Sequence, residues 1–183
     1  MKKAILTAMT VLVAWAAPSA PAAESQLTVL LAGGSEDNAI SIWLTADGRS
    51  YVIDSVVPLE VGGSVCAHPE GMPNELVCTA ASIGGFEVNA GAGEDAIVVA
   101  GGVRIPTTLR GGPGSDDLIG GSGADKLIGG PGEDTMVGRA GADSLYGGAG
   151  ADRLIGGGGD DVVHGNSGVD VIFGGPGNNQ LIP

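Results

Sequence analysis

A nine-residue period governs the carboxy-terminal part of this 183-residue chain. The stretch GGPGSDDLIGGSGADKLI, at positions 111–128, contains two copies of one pattern: a glycine pair, a third glycine, an aspartate and then a large apolar residue. Eight such nonapeptides fill residues 111–182 without a gap. A flexible linker has no reason to hold aspartate and a large aliphatic residue in fixed phase, so the period predicts a folded repeat structure.

The aspartate position is the most regular feature of the period. It is occupied by aspartate in seven repeats and by asparagine in the last: Asp116, Asp125, Asp134, Asp143, Asp152, Asp161, Asp170 and Asn179. An earlier copy, GAGEDAIVV at 91–99, places Asp95 21 residues before Asp116. The stretch GSEDNAISI at 34–42 resembles that copy weakly. The repeat pattern therefore begins loosely and becomes regular from Gly111.

These nonapeptides resemble the repeats-in-toxin (RTX) calcium-binding repeats, whose pattern is that of a calcium-binding parallel β-helix. The resemblance implies an all-β fold, a calcium-stabilised parallel β-roll (β-solenoid) of nonapeptide repeats preceded by a short β region. Two nonapeptides would form one coil, with six-residue turns and three-residue strands. Turns on one edge of the roll would then stack 18 residues apart in sequence.

Calcium explains why a chain would keep placing aspartate among glycines. Ca²⁺ takes six to eight oxygen ligands, from carboxylates and backbone carbonyls, and glycine allows turns with positive φ while leaving carbonyls uncovered. Two carboxylates in coils about 4.8 Å apart repel by roughly 1 kcal/mol even in water, and a shared ion turns that repulsion into a cross-link. The predicted ligands are the eight residues at the aspartate position, Asp95, and five glycines at the first position of a repeat: Gly111, Gly120, Gly129, Gly147 and Gly156.

Two features of the repeats each have two interpretations. Asn179 reflects either drift in a terminal repeat or an end cap that lowers the charge at an exposed sheet edge. The residue after the apolar position should point outward, yet it is often apolar or aromatic, as at Tyr146 and Phe173. Ordinary β-propensity in a stacked ladder explains this, and a docking face is the alternative. His164 lies in the same ladder, which favours a stacked side chain over a catalyst.

Residues 1–22 have the layout of a cleaved secretory signal peptide, with Lys2 and Lys3 before an apolar run and a small-residue site at Ala20–Ala22. The run is too short to span a bilayer comfortably, although a retained anchor is the alternative. Removing two of eight basic residues and none of the 21 acidic ones gives 6 − 21 = −15. That charge disfavours nucleic acid as a partner and favours cations. We expect bacterial-type export and a secreted, extracellular protein.

Residues 23–90 predict a small β region with a disulfide loop. Asp47-Gly48 lies between two β-prone runs and indicates a hairpin. Cys66 and Cys78 enclose eleven residues and predict a disulfide in an oxidising compartment. A zinc site with His68 is the alternative, but it lacks a fourth ligand. Residues 91–110 are predicted to be a transitional irregular coil, and residues 111–183 the roll.

The sequence does not predict an enzyme, because it has neither a His-Glu-x-x-His motif nor a Gly-x-Ser-x-Gly elbow. It predicts a secreted calcium-binding structural or cell-surface module that folds on binding calcium. The alternative is a calcium-dependent adhesin or surface-ligand-binding protein. The expected partners are calcium ions and, for the adhesin, a cell-surface or extracellular partner, with no nucleic acid and no membrane span.

Overall fold

The computed structural model describes residues 9–13, 27–32, 34–55, 59–61 and 66–183. Apart from one 3-10 turn, Ala80–Ser82, every regular element of these residues is a β-strand. The all-β prediction is therefore confirmed. None of the described residues forms a helix with the length and apolar character needed to cross a membrane.

The described residues contain eighteen strands. The first eight are β1 (Met9–Val13), β2 (Leu27–Ala32), β3 (Ala39–Leu44), β4 (Ser50–Ser55), β5 (Leu59–Val61), β6 (Cys66–Ala67), β7 (Glu75–Thr79) and β8 (Ile83–Asn89). The next ten are β9 (Ala96–Val99), β10 (Thr107–Arg110), β11 (Asp117–Ile119), β12 (Lys126–Pro131), β13 (Thr135–Ala140), β14 (Ser144–Ala149), β15 (Arg153–Gly158), β16 (Val162–Ser167), β17 (Val171–Phe173) and β18 (Gln180–Ile182).

The strands form two nine-stranded sheets that face each other across a narrow core. One sheet has the order β18-β16-β14-β12-β10-β8-β2-β1-β5, and the other has the order β17-β15-β13-β11-β9-β3-β4-β7-β6. From β8 onward the chain alternates between the sheets, and from β10 onward each strand pairs in parallel with the strand two places earlier. Leu118 lies beside Met136 and Leu127 beside Leu145. This 18-residue register confirms the predicted coil of two nonapeptides.

The core of the roll consists of the large apolar residue of each nonapeptide. Side chains alternate between the two faces of a strand, and one residue per strand points inward. Six of these residues are fully buried: Leu118, Leu127, Met136, Leu145, Leu154 and Val163. In the final coil Ile172 is only partly buried and Leu181 is 45% exposed, because β17 and β18 are the last strands of their sheets.

The amino-terminal strands extend the same two sheets. β3 and β4 form the predicted antiparallel hairpin, with Gly48 at φ 71° in its turn. β3 also pairs in parallel with β9, which places Ile40 beside Ile97. The weak likeness between 34–42 and 91–99 therefore reflects stacked strands in register.

The predicted disulfide is confirmed. Cys66 in β6 lies opposite Cys78 in β7, and the two sulfur atoms are bonded. The alternative of a zinc site is excluded because neither sulfur is free as a thiolate. His68 is exposed and its Nδ1 lies 2.8 Å from the carbonyl oxygen of Glu75.

The predicted irregular coil at residues 91–110 is only partly irregular in the structure. Residues 91–110, predicted to be a transitional irregular coil, contain the strands β9 and β10, and the residues of this range outside the strands are 91–95 and 100–106. The reason is that Ile97 and Leu109 keep their buried positions although the spacing between successive aspartates is three residues longer here.

The predicted signal peptide, residues 1–22, lies mostly outside the described residues. Its described part is β1, which pairs with β2 and β5.

Candidate calcium sites

The turns of the roll lie along two edges. Edge I contains the turns 111–116, 129–134, 147–152 and 165–170, with an earlier turn at 90–95. Edge II contains the turns 120–125, 138–143, 156–161 and 174–179. The two edges carry alternate aspartates of the sequence, as the 18-residue register requires.

One oxygen of each aspartate links adjacent coils. The Oδ1 atom of Asp134 accepts the backbone N–H of Asp116 at 2.9 Å, and Oδ1 of Asp152 accepts the N–H of Asp134 at 2.9 Å. The same bond joins Asp95 to Asp116, Asp152 to Asp170, Asp125 to Asp143, Asp143 to Asp161 and Asp161 to Asn179. The aspartate ladder is thus part of the inter-coil hydrogen bonding.

The other oxygen of most aspartates is buried without a partner. This is the case for Oδ2 of six residues: Asp95, Asp116, Asp134, Asp143, Asp152 and Asp161. All six side chains belong to residues that are at most 2% exposed. Leaving a charged oxygen buried and unpaired is strongly unfavourable. Each of these atoms therefore needs a cation or a proton.

The first glycine of each repeat leaves room beside this oxygen. A Cβ added to Gly129 would collide with Oδ2 of Asp134 and would lie 2.7 Å from the carbonyl oxygen of Gly147 in the next coil. The same arrangement recurs at Gly147 and Gly156. The small space that glycine leaves open is thus bordered by one carboxylate oxygen and one carbonyl oxygen, both ligand types that calcium uses.

The five predicted glycines all lie at this first position, and a Cβ added to any of them would collide with the carboxylate of its own repeat. The prediction omitted Gly138 and Gly165, which have the same surroundings. The nine-residue period alone would have identified both. It would also have placed Thr107, 18 residues before Asp125, at an aspartate position.

Burial shifts the protonation equilibria of these carboxyl groups. It raises the pKa of Asp116, Asp134 and Asp143 to about 6, an effect that the neighbouring aspartates increase and the backbone N–H donors reduce. The same burial raises the pKa of Asp152 and Asp161. Without an ion, the fold therefore opposes the charged form of its own ladder.

The arrangement fits calcium better than a metal bound by side chains. No group of three or more His, Cys, Asp or Glu side chains converges in the part of the chain that the structure describes. Backbone carbonyls must then supply most ligands, which Ca²⁺ accepts. A bound Ca²⁺ would neutralise the buried carboxylates and hold adjacent coils together. Which residues ligate the ion stays a prediction.

Asparagine replaces aspartate in the first coil of edge I and in the last coil of edge II. Asn179, in the last coil, keeps the inter-coil bond through Oδ1, and its Nδ2 donates to the carbonyl oxygen of Gly175 at 2.8 Å. Asn38, in the first coil of edge I, donates from Nδ2 to the carbonyl oxygens of Glu36 and Ala90. In Asn179 both polar atoms of the amide therefore have partners without a cation. This geometry favours the end-cap interpretation of Asn179.

Comparison with known proteins agrees with this geometry. A family model of the RTX calcium-binding nonapeptide repeat, four copies long, matches residues 110–145 and again 146–181. Residues 110–181 therefore belong to the RTX calcium-binding repeats, folded as a parallel β-roll. Repeats of this family are known to bind calcium. No curated protein and no solved structure matches the chain.

Proposed function

We propose that this protein is a secreted calcium-binding β-roll, a structural or cell-surface module that folds when it binds calcium. The observation that carries the proposal is the set of six buried carboxylate oxygens without a partner. An ion that binds only the folded state stabilises it by RT ln(1 + [L]/Kd), about 2.7 kcal/mol per site at a hundredfold excess. The roll core is thin, so bound ions supply much of its folding free energy.

Several features support an extracellular location. RTX repeat proteins are typically secreted or extracellular. The Cys66–Cys78 disulfide suits an oxidising compartment, and residues 1–22 have the composition of a signal peptide. Calcium is scarce in the cytosol and plentiful outside, so the roll would stay unfolded before export and fold afterwards.

Circular dichroism of the full chain in chelator, in calcium and in magnesium tests the proposal. We expect a large gain of β signal in millimolar calcium and little gain in magnesium, whose small octahedral shell suits this carbonyl-rich cradle poorly. Identical spectra in chelator and in calcium would refute calcium-dependent folding.

A matched pair of variants links the effect to the ladder. Asp134→Asn keeps an Oδ1 acceptor, as Asn179 does, but removes the buried charge. Glu133→Gln makes the same change of charge at an exposed neighbour. We expect only Asp134→Asn to raise the calcium concentration at the folding midpoint. Equal shifts would indicate a general effect of net charge.

The second candidate is a calcium-dependent adhesin. The Tyr146 and His164 rings stack with centroids 5.0 Å apart, and Lys126 lies over Tyr146 at 5.5 Å. On the other sheet, Phe173 is 51% exposed in the terminal coil. If the stacked side chains of Tyr146 and His164 bind a surface partner, Tyr146→Ala should weaken binding of the calcium-loaded protein to intact cells. The variant should leave the calcium concentration at the folding midpoint unchanged. In both candidates we propose a non-catalytic role.

A further inference from the structure

One turn of the roll has a different backbone from the others. In seven of the eight turns within residues 111–182, which the structure describes throughout, the second and fourth residues have positive φ. The exception is turn 120–125, where neither Gly121 nor Gly123 does. Its sequence, GGSGAD, nevertheless matches the repeat pattern in full. Something outside the turn therefore sets its conformation.

Both carboxylate oxygens of this turn already have partners. Oδ1 of Asp125 accepts the N–H and the hydroxyl of Thr107, each at 2.8 Å. Its Oδ2 accepts the N–H of Gly121 at 2.7 Å, whereas the equivalent oxygen of six other aspartates has no partner. Thr107 also replaces the aspartate of the preceding coil, so this part of edge II lacks one carboxylate.

A cationic side chain covers the same turn. Arg139 occupies the second position of its repeat, which is glycine in most of the others. It adopts φ 79°, in a region that is unfavourable for a residue with a Cβ. Its Nη1 donates to the carbonyl oxygen of Gly120 at 3.0 Å and also to that of Val99. These are the carbonyls at the first repeat position of the two preceding coils.

The electrostatic surroundings of the Asp125 carboxyl group agree with these contacts. Burial raises the pKa of the Asp125 carboxyl, and the hydrogen bonds from Thr107 and Gly121 and the positive charge of Arg139 act against that rise. The residues around turn 120–125 therefore do not present the unpaired oxygen that the other turns offer to an ion.

We propose that Arg139 is a built-in cation that closes the first turn of edge II, so that this turn takes no calcium in the native protein. The coil of β11 and β12 is then held closed against the amino-terminal strands before any ion binds. It serves as the template on which the later, calcium-dependent coils stack. This inference rests on the proposed calcium function.

Calcium stoichiometry of the full chain, measured by isothermal titration, tests the inference. Arg139→Gly restores the glycine of the repeat pattern and removes the guanidinium, and we expect it to bind one more calcium ion per chain than the native protein. Asn166→Gly is the matched control, because Asn166 is the other non-glycine residue at this position with positive φ, 73°, and it lies on edge I. We expect its stoichiometry to be native. An unchanged or lower stoichiometry in Arg139→Gly would overturn the inference.

Hydrogen exchange in chelator supplies a second readout. Residues 117–128 should be protected in the native chain and should lose protection in Arg139→Gly. If that variant does not fold even in calcium, Arg139→Lys and Arg139→Gln decide: protection should be kept better by lysine than by glutamine, and equal behaviour would refute the role of the charge. A native chain that binds no calcium would instead refute the proposed function.

Discussion

The amino-terminal strands and the RTX coils share two continuous sheets, but different interactions hold them together. Around β4 and β8 the core is bulky: the rings of Tyr51 and Phe86 meet edge to face at 5.2 Å, and Ile53 and Leu76 are fully buried. A disulfide joins β6 to β7. In the RTX coils the first six nonapeptides each bury one large apolar residue in the core and one aspartate on an edge. We therefore expect the same architecture to have an ion-independent part and an ion-dependent part.

The difference shows what the glycine-aspartate pattern does to stability. Burying a large aliphatic or aromatic side chain contributes about 1.5–3 kcal/mol, whereas glycine loses more conformational entropy on folding than any other residue. A buried, unpaired carboxylate oxygen opposes folding further. We expect the replacement of apolar bulk by glycine and aspartate to make the fold conditional on a cation, as the proposed folding outside the cell would require.

The largest expected effect is the loss of the RTX coils when calcium is removed. In chelator, amide hydrogen exchange should become fast across residues 144–182, which follow the turn of Arg139 and where the carboxylates lose their cation. Residues 40–55 and 76–89 should stay protected, because their core contains no aspartate ladder. Mass-spectrometric exchange of the same sample with and without calcium measures both regions at once. Simultaneous loss of both would show that the roll and the amino-terminal strands form one cooperative unit.

Removal of the disulfide should produce the converse result. The double substitution Cys66→Ser and Cys78→Ser opens a short loop, and the entropy model predicts a loss of about 3 kcal/mol. We expect it to lower the denaturant midpoint of the amino-terminal strands and to leave the calcium affinity of the roll unchanged. Urea unfolding at saturating calcium and calcium titration without urea separate the two. A large fall in calcium affinity would mean that the amino-terminal strands template every later coil.

The sequence predicted the roll more accurately than the strands before it. The position of every RTX turn follows from the nine-residue phase, because each repeat meets the same neighbours. The repeat pattern alone does not predict the contacts that Thr107 and Arg139 make with turn 120–125. Thr107 lies at an aspartate position in a coil without the motif, and the guanidinium of Arg139 contacts carbonyls 19 and 40 residues away. The antiparallel pairing of β4 with β7 was not predictable either, because it is set by tertiary contacts of irregular spacing.

A smaller effect should follow from pH. In the ion-free fold the pKa of Asp116, Asp134 and Asp143 is about 6, against an ordinary value near 4. The folded state then binds more protons than the unfolded state between these values, so the stability of the ion-free roll should fall as pH rises from 4 to 6. Calcium competes with those protons, and its affinity should drop by about tenfold per such carboxylate between pH 7 and pH 5. Calcium titrations at the two pH values, with Asp54→Asn in β4 as an exposed control, measure the shift. A pH-independent affinity would mean that the ladder is ionised before the ion arrives.

The smallest expected effect tests whether ions are shared along an edge. Asp134 is linked through its N–H to Asp152 on edge I, while Asp161 lies on edge II. If neighbouring turns of one edge share an ion, the losses of calcium affinity in Asp134→Asn and Asp152→Asn should not add, with a coupling of about 0.5–1 kcal/mol. The pair Asp134→Asn and Asp161→Asn should be additive within error, because these side chains serve opposite edges. Coupling of Asp134 to Asp143, its neighbour in sequence, would place ions between the two edges instead, which the 18-residue hydrogen-bond ladder does not permit. The double-mutant cycle thus measures whether the unit of calcium binding is the stacked pair of turns or the single nonapeptide.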